Sequence, residues 1–425
     1  MIRASSRICN SFETDSRATG LGLKVSRSYP SGVRTRVLTS LLLMTASLAL
    51  ALAGGELLAR KVRPLSTLEY VVDADVGQIL NPNQRGARSV SQDYDVEIAT
   101  NSAGFHDIEH RLQKPPDVYR IVMLGDSFME AVQVPVGQGF AQQLQGALQG
   151  WLNEKRVEVI NLGISGTGPA QYLQVLKARG LAYRPDLVIM AVHPGNDFFD
   201  SYRPLSGSVT KPYFELDPTG ELRYIPPQTK AVGVTLSPLL RRSALLMLMR
   251  KAITRMSIEA WFGRWGFLSP SYAVASVQPN HVLPVDWYVY VIDPPYPWPG
   301  AYRITLRTIE ESKKLAEQHG AGFLVMLIPP TAAIEDRWQE ALAPYPGSDH
   351  LKLDFDLPSK AVRRLGKESD FHVIDFVESF RKTYQHDRLS YAWPHDGHWN
   401  ARGHQQAAQV VSSFLLAHRA EYGFK

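Results

Sequence analysis

The sequence predicts an α/β protein: a central parallel sheet covered by helices on both sides, carried behind an N-terminal membrane segment. Three observations predict it. Short runs that are apolar throughout alternate with longer segments of helical period. A run apolar on both faces is a strand buried between helices, and strands that alternate with helices run parallel. Each early run stops at small polar residues, as strands do where they turn into a crevice. Finally, Val37–Leu58 reads VLTSLLLMTASLALALAGGELL, with Glu56 near its far end.

Taken in order, residues 1–36 are rich in Ser and Arg and read as a disordered segment. Residues 37–59 follow as a transmembrane anchor or signal segment, since roughly 20 apolar residues span a bilayer core. Lys24, Arg27, Arg34 and Arg36 precede it and favour a cytoplasmic N-terminus, against Arg60, Lys61 and Arg63 behind it. Ala51-Leu52-Ala53 before Gly54 would also suit a cleavable signal peptide. The run is long for a signal core, so an uncleaved anchor is the expectation. Either way the chain beyond about residue 64 faces the far side of the membrane. Residues 60–118 form a lead-in with short alternating patches, such as Tyr94–Ala99, and are expected to be irregular or β-rich.

The regular alternation occupies residues 119–425. Strands are expected at Ile121–Leu124, Val157–Ile160, Leu187–Val192, Phe323–Ile328 and Val373–Ile374. Helical spacing covers Phe140–Leu152, Pro169–Arg179, Tyr302–His319 and Ala401–His418. With right-handed crossovers, five such strands fit a flavodoxin-like three-layer sandwich of strand order 2-1-3-4-5. Between the third and fourth strands lies an insertion at about 198–299, far longer than a usual crossover. It holds the basic, apolar stretch SPLLRRSALLMLMRKAITRM, read as a packed helix, a lid or a helix lying on the membrane. It also holds the aromatic stretch WYVYVIDPPYPWP.

Composition narrows the function. The 425 residues carry a net charge of +5, but the basic residues are scattered and no partner nucleic acid is expected. The single cysteine, Cys9, excludes an internal disulfide and a Cys-based zinc site. No Walker loop and no Gly-x-Gly-x-x-Gly follow a strand, and neither cofactor nor metal is expected.

Four blocks carry chemistry. The first strand ends in Gly125-Asp126-Ser127, the second in NLGISG with Gly166, and the third in Gly195-Asn196-Asp197. Before the last helix stands His395-Asp396-Gly397-His398-Trp399-Asn400. Taken singly, Asp126, Ser127 or Asn196 could cap a helix, Gly166 could be an ordinary turn and His398 a structural histidine. In the proposed sheet, however, strands one to three are neighbours and their ends converge. A serine hydroxyl needs a base, histidine suits that task near neutrality, and an aspartate orients the imidazole. A glycine N–H and an asparagine amide can donate to an oxyanion. A metal site on His395, Asp396, His398 and His404 is the rival use of the last block.

In these blocks the chain resembles the SGNH hydrolases, the GDSL-type esterase, lipase and acyltransferase family, over roughly Arg120–His418 with the insertion uncovered. The resemblance implies Ser127 as nucleophile, His398 as base and Asp396 as its partner. It implies oxyanion donors from the Ser127 N–H, the Gly166 N–H and the Asn196 side chain. The usual terminal block is Asp-x-x-His; here Asp396-Gly397-His398 is one residue shorter, as in a membrane-anchored bacterial branch that the sequence also looks like. The implied activity is serine-dependent acyl-ester hydrolysis at the cell envelope. O-acetyl transfer to an envelope polysaccharide and non-catalytic glycan binding are the alternatives. The expected substrate is an acylated glycan or lipid ester. The expected location is the bacterial inner membrane, with the catalytic domain facing the periplasm or cell exterior. Trp287, Tyr288 and Trp298 are either core residues or sugar-stacking groups.

Overall fold

The five apolar runs form one parallel sheet in the computed structural model, which describes residues 31–62, 66–149, 156–228, 243–246, 249 and 282–423. After helix α1 (Ser31–Val62) the chain runs β1 (Val118–Gly125), α2 (Phe140–Gln149), β2 (Arg156–Gly163), α3 (Pro169–Ala178) and β3 (Leu187–Val192). It continues through α4 (Trp298–Gln318), β4 (Gly322–Leu327), α5 (Leu357–Glu368), β5 (His372–Asp375), α6 (Val377–Asp387) and α7 (Ala401–Ala417). Short turns and hairpins separate these elements. The spatial order is β5-β4-β3-β1-β2, all parallel, which is the order the sequence predicts.

Side chains alternate across the sheet as a period of two requires. Val122, Leu124, Val188, Met190 and Val325 face one core, beneath α3, α4 and α5. Ile121, Met123, Ile189, Ala191 and Met326 face the other, with α2, α6 and α7. These strands lack a polar face because neither side meets water. Gly125 of β1 lies opposite Gly163 of β2, so both strands end at the same level and their following turns meet.

The strands run up to three residues beyond their expected ends. β1 starts at Val118 because Arg120, which looks in sequence like a polar flank, is fully buried within it. Its guanidinium donates to Glu158 (2.9 Å) and to the carbonyls of Leu112 (3.0 Å), Tyr183 (2.8 Å) and Arg111 (2.6 Å). Buried charge persists where it is paired and hydrogen-bonded, as here with a carboxylate and three carbonyls. α4 begins at Trp298, four residues ahead of Tyr302, because Pro299 suits a first helical turn and buried Trp298 anchors it.

The lead-in contains two antiparallel hairpins, Tyr70–Asp73 with Gly77–Leu80 and Ala87–Val90 with Asp95–Ile98. In the insertion, a hairpin pairs Tyr213–Leu216 with Leu222–Ile225. The two ends of the aromatic stretch are core: Tyr288, Val289, Tyr290 and Trp298 are buried beneath the α4 side of the sheet, while Tyr296 between them is exposed. Trp287 packs edge-on against Trp338. Burial therefore removes Tyr288 and Trp298 from any sugar-stacking role. The basic stretch at 237–256 lies almost wholly outside the described residues, as do residues 1–30 of the N-terminal segment.

The chain divides into a unit ending at Gly55 and a unit spanning Glu56–Lys425. Within α1, Arg36–Lys61 is long and apolar enough to cross a membrane, with a mean hydropathy of 2.0.

Candidate active site

β1 ends in a helical turn, Ser127–Glu130, and the Asp126 carboxylate caps it by accepting from the Phe128 N–H at 2.9 Å. Capping thus falls to Asp126, which leaves the Ser127 hydroxyl free for other work. That hydroxyl lies 2.6 Å from His398 Nε2, and His398 Nδ1 lies 2.6 Å from Asp396 Oδ1. A carboxylate can only accept, so Nδ1 carries the proton and the Nε2 lone pair faces the serine oxygen. Ser127 and His398, 271 positions apart, are therefore in hydrogen-bond contact.

His398 stands in a closed loop. Trp393 N–H donates to the His398 carbonyl and Asn400 N–H to the Tyr391 carbonyl, each at 2.9 Å. Trp399, buried next to it, packs on Phe376 and Phe380. Asn400 then caps α7 by accepting from the Gly403 N–H. Gly397 has φ +85°, a backbone region that costs other residues energy, and it turns the chain so that Asp396 and His398 face each other. This is how the short Asp-Gly-His spacing still forms the pair.

The two other expected residues sit at the neighbouring strand ends. Gly166, at φ +68°, lies in the turn after β2, and a Cβ there would stand in open space apart from Lys211 Nζ at 3.8 Å. Its turn conformation, rather than crowding, calls for glycine. Among the described residues, neither the Ser127 N–H nor the Gly166 N–H finds an acceptor within the protein. Asn196 follows β3 at the N-cap of Asp197–Ser201, but its side chain makes no capping bond. Instead its amide reaches Asp200 Oδ2 at 3.5 Å. Ser127, Gly166, Asn196, Asp396 and His398 are all half-buried, so solvent reaches each of them.

Several residues of this site were not foreseen. Glu130, on the nucleophile's own helical turn, is fully buried and accepts from Tyr70 Oη (3.2 Å) and from Ser165 Oγ. Its spacing of three from Ser127 would have placed it on the same helix face. Tyr94 Oη donates to Asp396 Oδ2 at 3.0 Å, and the Asp93 carboxylate accepts from the His395 and Asp396 N–H groups. Nothing local in sequence signals those contacts. The Phe128 ring lies between the rings of His398 and His193, with centroids 4.9 and 4.8 Å away.

Burial sets the electrostatics. It pushes Glu130 up to about 7 and Asp126 up to about 6, and pulls His193 down to about 4. For His398 burial also pulls downward, but the hydrogen bond and charge of Asp396 outweigh it, helped by Asp126 and Glu130, and the net shift is upward. Burial pushes Asp396 up, yet bonds from His398 and Tyr94 leave it below the usual carboxylate range. Among the described residues, Asp126 Oδ2, Asn196 Oδ1 and Asp197 Oδ1 are buried without a hydrogen-bond partner.

Among the described residues, no group of His, Cys, Asp and Glu is arranged to hold a metal ion. His404 is enclosed edge-on against Trp399, and His395 pairs with Asp93, so the rival metal reading loses two of its ligands.

No family model matches the chain, and no curated protein does. Solved structures do align with it. The acetyl xylan esterase AlAXEase is 12% identical with a TM-score of 0.37, covering 70% of this chain and 99% of its own. A mutant of Axe2, an acetyl-xylooligosaccharide esterase from Geobacillus stearothermophilus, is 15% identical with a TM-score of 0.37, covering 72% and 95%. TesA is 13% identical with a TM-score of 0.35, covering 70% and 97%. Likenesses this distant carry no functional weight for this chain.

Proposed function

We propose that this chain is a serine-dependent acyl-ester hydrolase, an esterase or deacetylase of the SGNH type. The observation that carries this reading is the continuous relay from Ser127 Oγ through the His398 ring to Asp396, with 2.6 Å at each step. In it, His398 Nε2 takes the Ser127 proton as Oγ attacks an ester carbonyl. Asp396 stabilises the imidazolium that forms. The Ser127 and Gly166 N–H groups and the Asn196 amide donate to the oxyanion, each worth about 3–4 kcal/mol of barrier. His398 then protonates the leaving alcohol, and an acyl group remains on Ser127. Water, deprotonated by the same imidazole, releases the acid and restores the serine.

The half-buried state of Ser127 and His398 favours water as the acceptor. An O-acetyltransferase would use the same groups with a polysaccharide hydroxyl in place of water. With α1 as a single-pass anchor in a bacterial inner membrane, the catalytic unit faces the periplasm or cell exterior and meets acylated envelope glycans or lipid esters.

The test is hydrolysis of a chromogenic acetyl ester by wild-type and Ser127→Ala proteins, with mass spectrometry for an acyl adduct on Ser127. We expect rate losses of at least ~10⁴-fold in the variant. Equal turnover by a pure variant would remove the reading. Glycan binding without any turnover in wild type would make the protein a binding module, and label on an added sugar would make it a transferase.

A further inference from the structure

We propose that Asp93 and Tyr94, at the tip of the lead-in hairpin Ala87–Val90/Asp95–Ile98, are positioning residues for the Asp396–His398 pair. This rests on the acyl-ester reading above. The Asp93 Oδ2 atom accepts from two consecutive main-chain groups, the N–H of His395 at 2.8 Å and of Asp396 at 2.9 Å. Its Oδ1 accepts from His395 Nδ1 at 2.6 Å. The Asp93 side chain is only 4% exposed, so water competes poorly for these bonds. Beside it, Tyr94 Oη donates to Asp396 Oδ2, the oxygen that His398 does not use. The Tyr94 ring also packs on Trp393, with centroids 5.7 Å apart.

The need for such a clamp follows from the short block. Asp396 belongs to an irregular loop rather than to a strand or helix, with Gly397 as its immediate neighbour. A loop carboxylate next to glycine has many orientations open to it, and productive geometry demands one. Asp93 fixes the main chain on the near side of Asp396, and Tyr94 fixes the outer carboxylate oxygen. Both come from a segment some 300 residues upstream, which ties the lead-in hairpin into the reaction centre. Burial followed by the charge of Asp396 pushes the Tyr94 hydroxyl up to about 12, so it stays a donor throughout the working range.

The pH dependence carries the signature. His398 must be neutral to act as base, so its protonation sets the acid side of the kcat/KM profile. The groups that face it are Asp396 on its own loop, Asp126, Ser127 and Glu130 on the nucleophile turn, His193 beyond β3, and His404 on α7. The Tyr94 hydroxyl draws charge from Asp396. Its removal leaves more negative charge on the Asp396 oxygen facing the ring, which stabilises the imidazolium and raises the His398 pKa. In Tyr94→Phe the acid side of the profile should therefore move to higher pH, by roughly half a unit, with kcat about tenfold lower and KM within about twofold. Asp93→Asn should lower kcat by about tenfold at unchanged KM.

The experiment uses the full-length protein in detergent, with wild type, Tyr94→Phe, Asp93→Asn and Ser127→Ala assayed across pH on the same acetyl ester. A Tyr94→Phe profile superimposable on wild type overturns the role of Tyr94, whatever its kcat. A wild-type kcat in Asp93→Asn overturns that of Asp93. Full turnover by Ser127→Ala would instead mean that the parent reading had failed.

Discussion

The two ends of β1 both bury charge, and they do so in opposite ways. At its start, the Arg120 guanidinium has a carboxylate and three carbonyls as acceptors, and the cluster is closed. At its finish, Asp126 is equally buried yet one of its oxygens has no partner among the described residues, and Glu130 one turn later is pushed up to about 7 by burial. A satisfied buried ion holds the fold together. Burial raises the cost of negative charge on Asp126 and Glu130, and the charge of both helps to raise His398. The contrast sets the ion-paired start of β1 apart from the end proposed to react.

Substitutions at the two ends should therefore separate stability from turnover. The largest effect is expected at the finish. His398→Ala, in the loop that faces this end of β1, removes the proposed base and should cost on the order of 10⁴-fold in kcat for acetyl-ester hydrolysis, with the urea midpoint nearly unchanged. An equal loss of both quantities would show that the reactive end also carries the fold. Next comes the start of the strand. Arg120→Met leaves three carbonyls and Glu158 without their donor and should destabilise by about 3 kcal/mol in urea unfolding. Its kcat per folded molecule should stay within about twofold of wild type. A kcat loss tracking that of His398→Ala would erase the contrast.

The smallest effect is a slope. The fold raises the Glu130 pKa from 4.5 to about 7, so the folded state prefers the neutral acid. Its contribution to stability is fully present below pH 4.5 and drains away as pH rises through about 7. Glu130→Gln cannot ionise, so its stability should not show that decline. Between those pH values the variant should gain on wild type by at most on the order of 3 kcal/mol, read from urea midpoints at successive pH. Parallel curves for the two proteins would mean that Glu130 stays ionised in the fold.

Much of this molecule is legible in its sequence because the signals are local. A strand buried on both faces must be apolar along its length, and five such runs alternate with helical periods, so layers and strand order follow. The Gly-Asp-Ser turn, the Gly166 turn, Asn196 and the Asp-Gly-His block are likewise short patterns at strand or helix ends. Taken singly in sequence, Asp126, Ser127 or Asn196 could each have been no more than a helix cap. Only the structure divides the work, with Asp126 capping, Ser127 facing His398 and Asn196 turned to Asp200.

What the sequence by itself determined is the five strands, the helices α2, α3, α4 and α7 and the chemistry parked at the strand ends, whereas α5 and α6 were not among the expected helices. That follows because burial on two faces and a turn conformation constrain neighbouring residues. What only the tertiary structure decided is which polar groups meet across long separations: Tyr94 with Asp396, Tyr70 with Glu130, Arg120 with Glu158. It also decided that Tyr288, Tyr290 and Trp298 of the aromatic stretch are core residues, while Tyr296 stands exposed. A hydrogen bond between residues 302 positions apart leaves no period in the chain, because its geometry is created by packing and not by the local backbone.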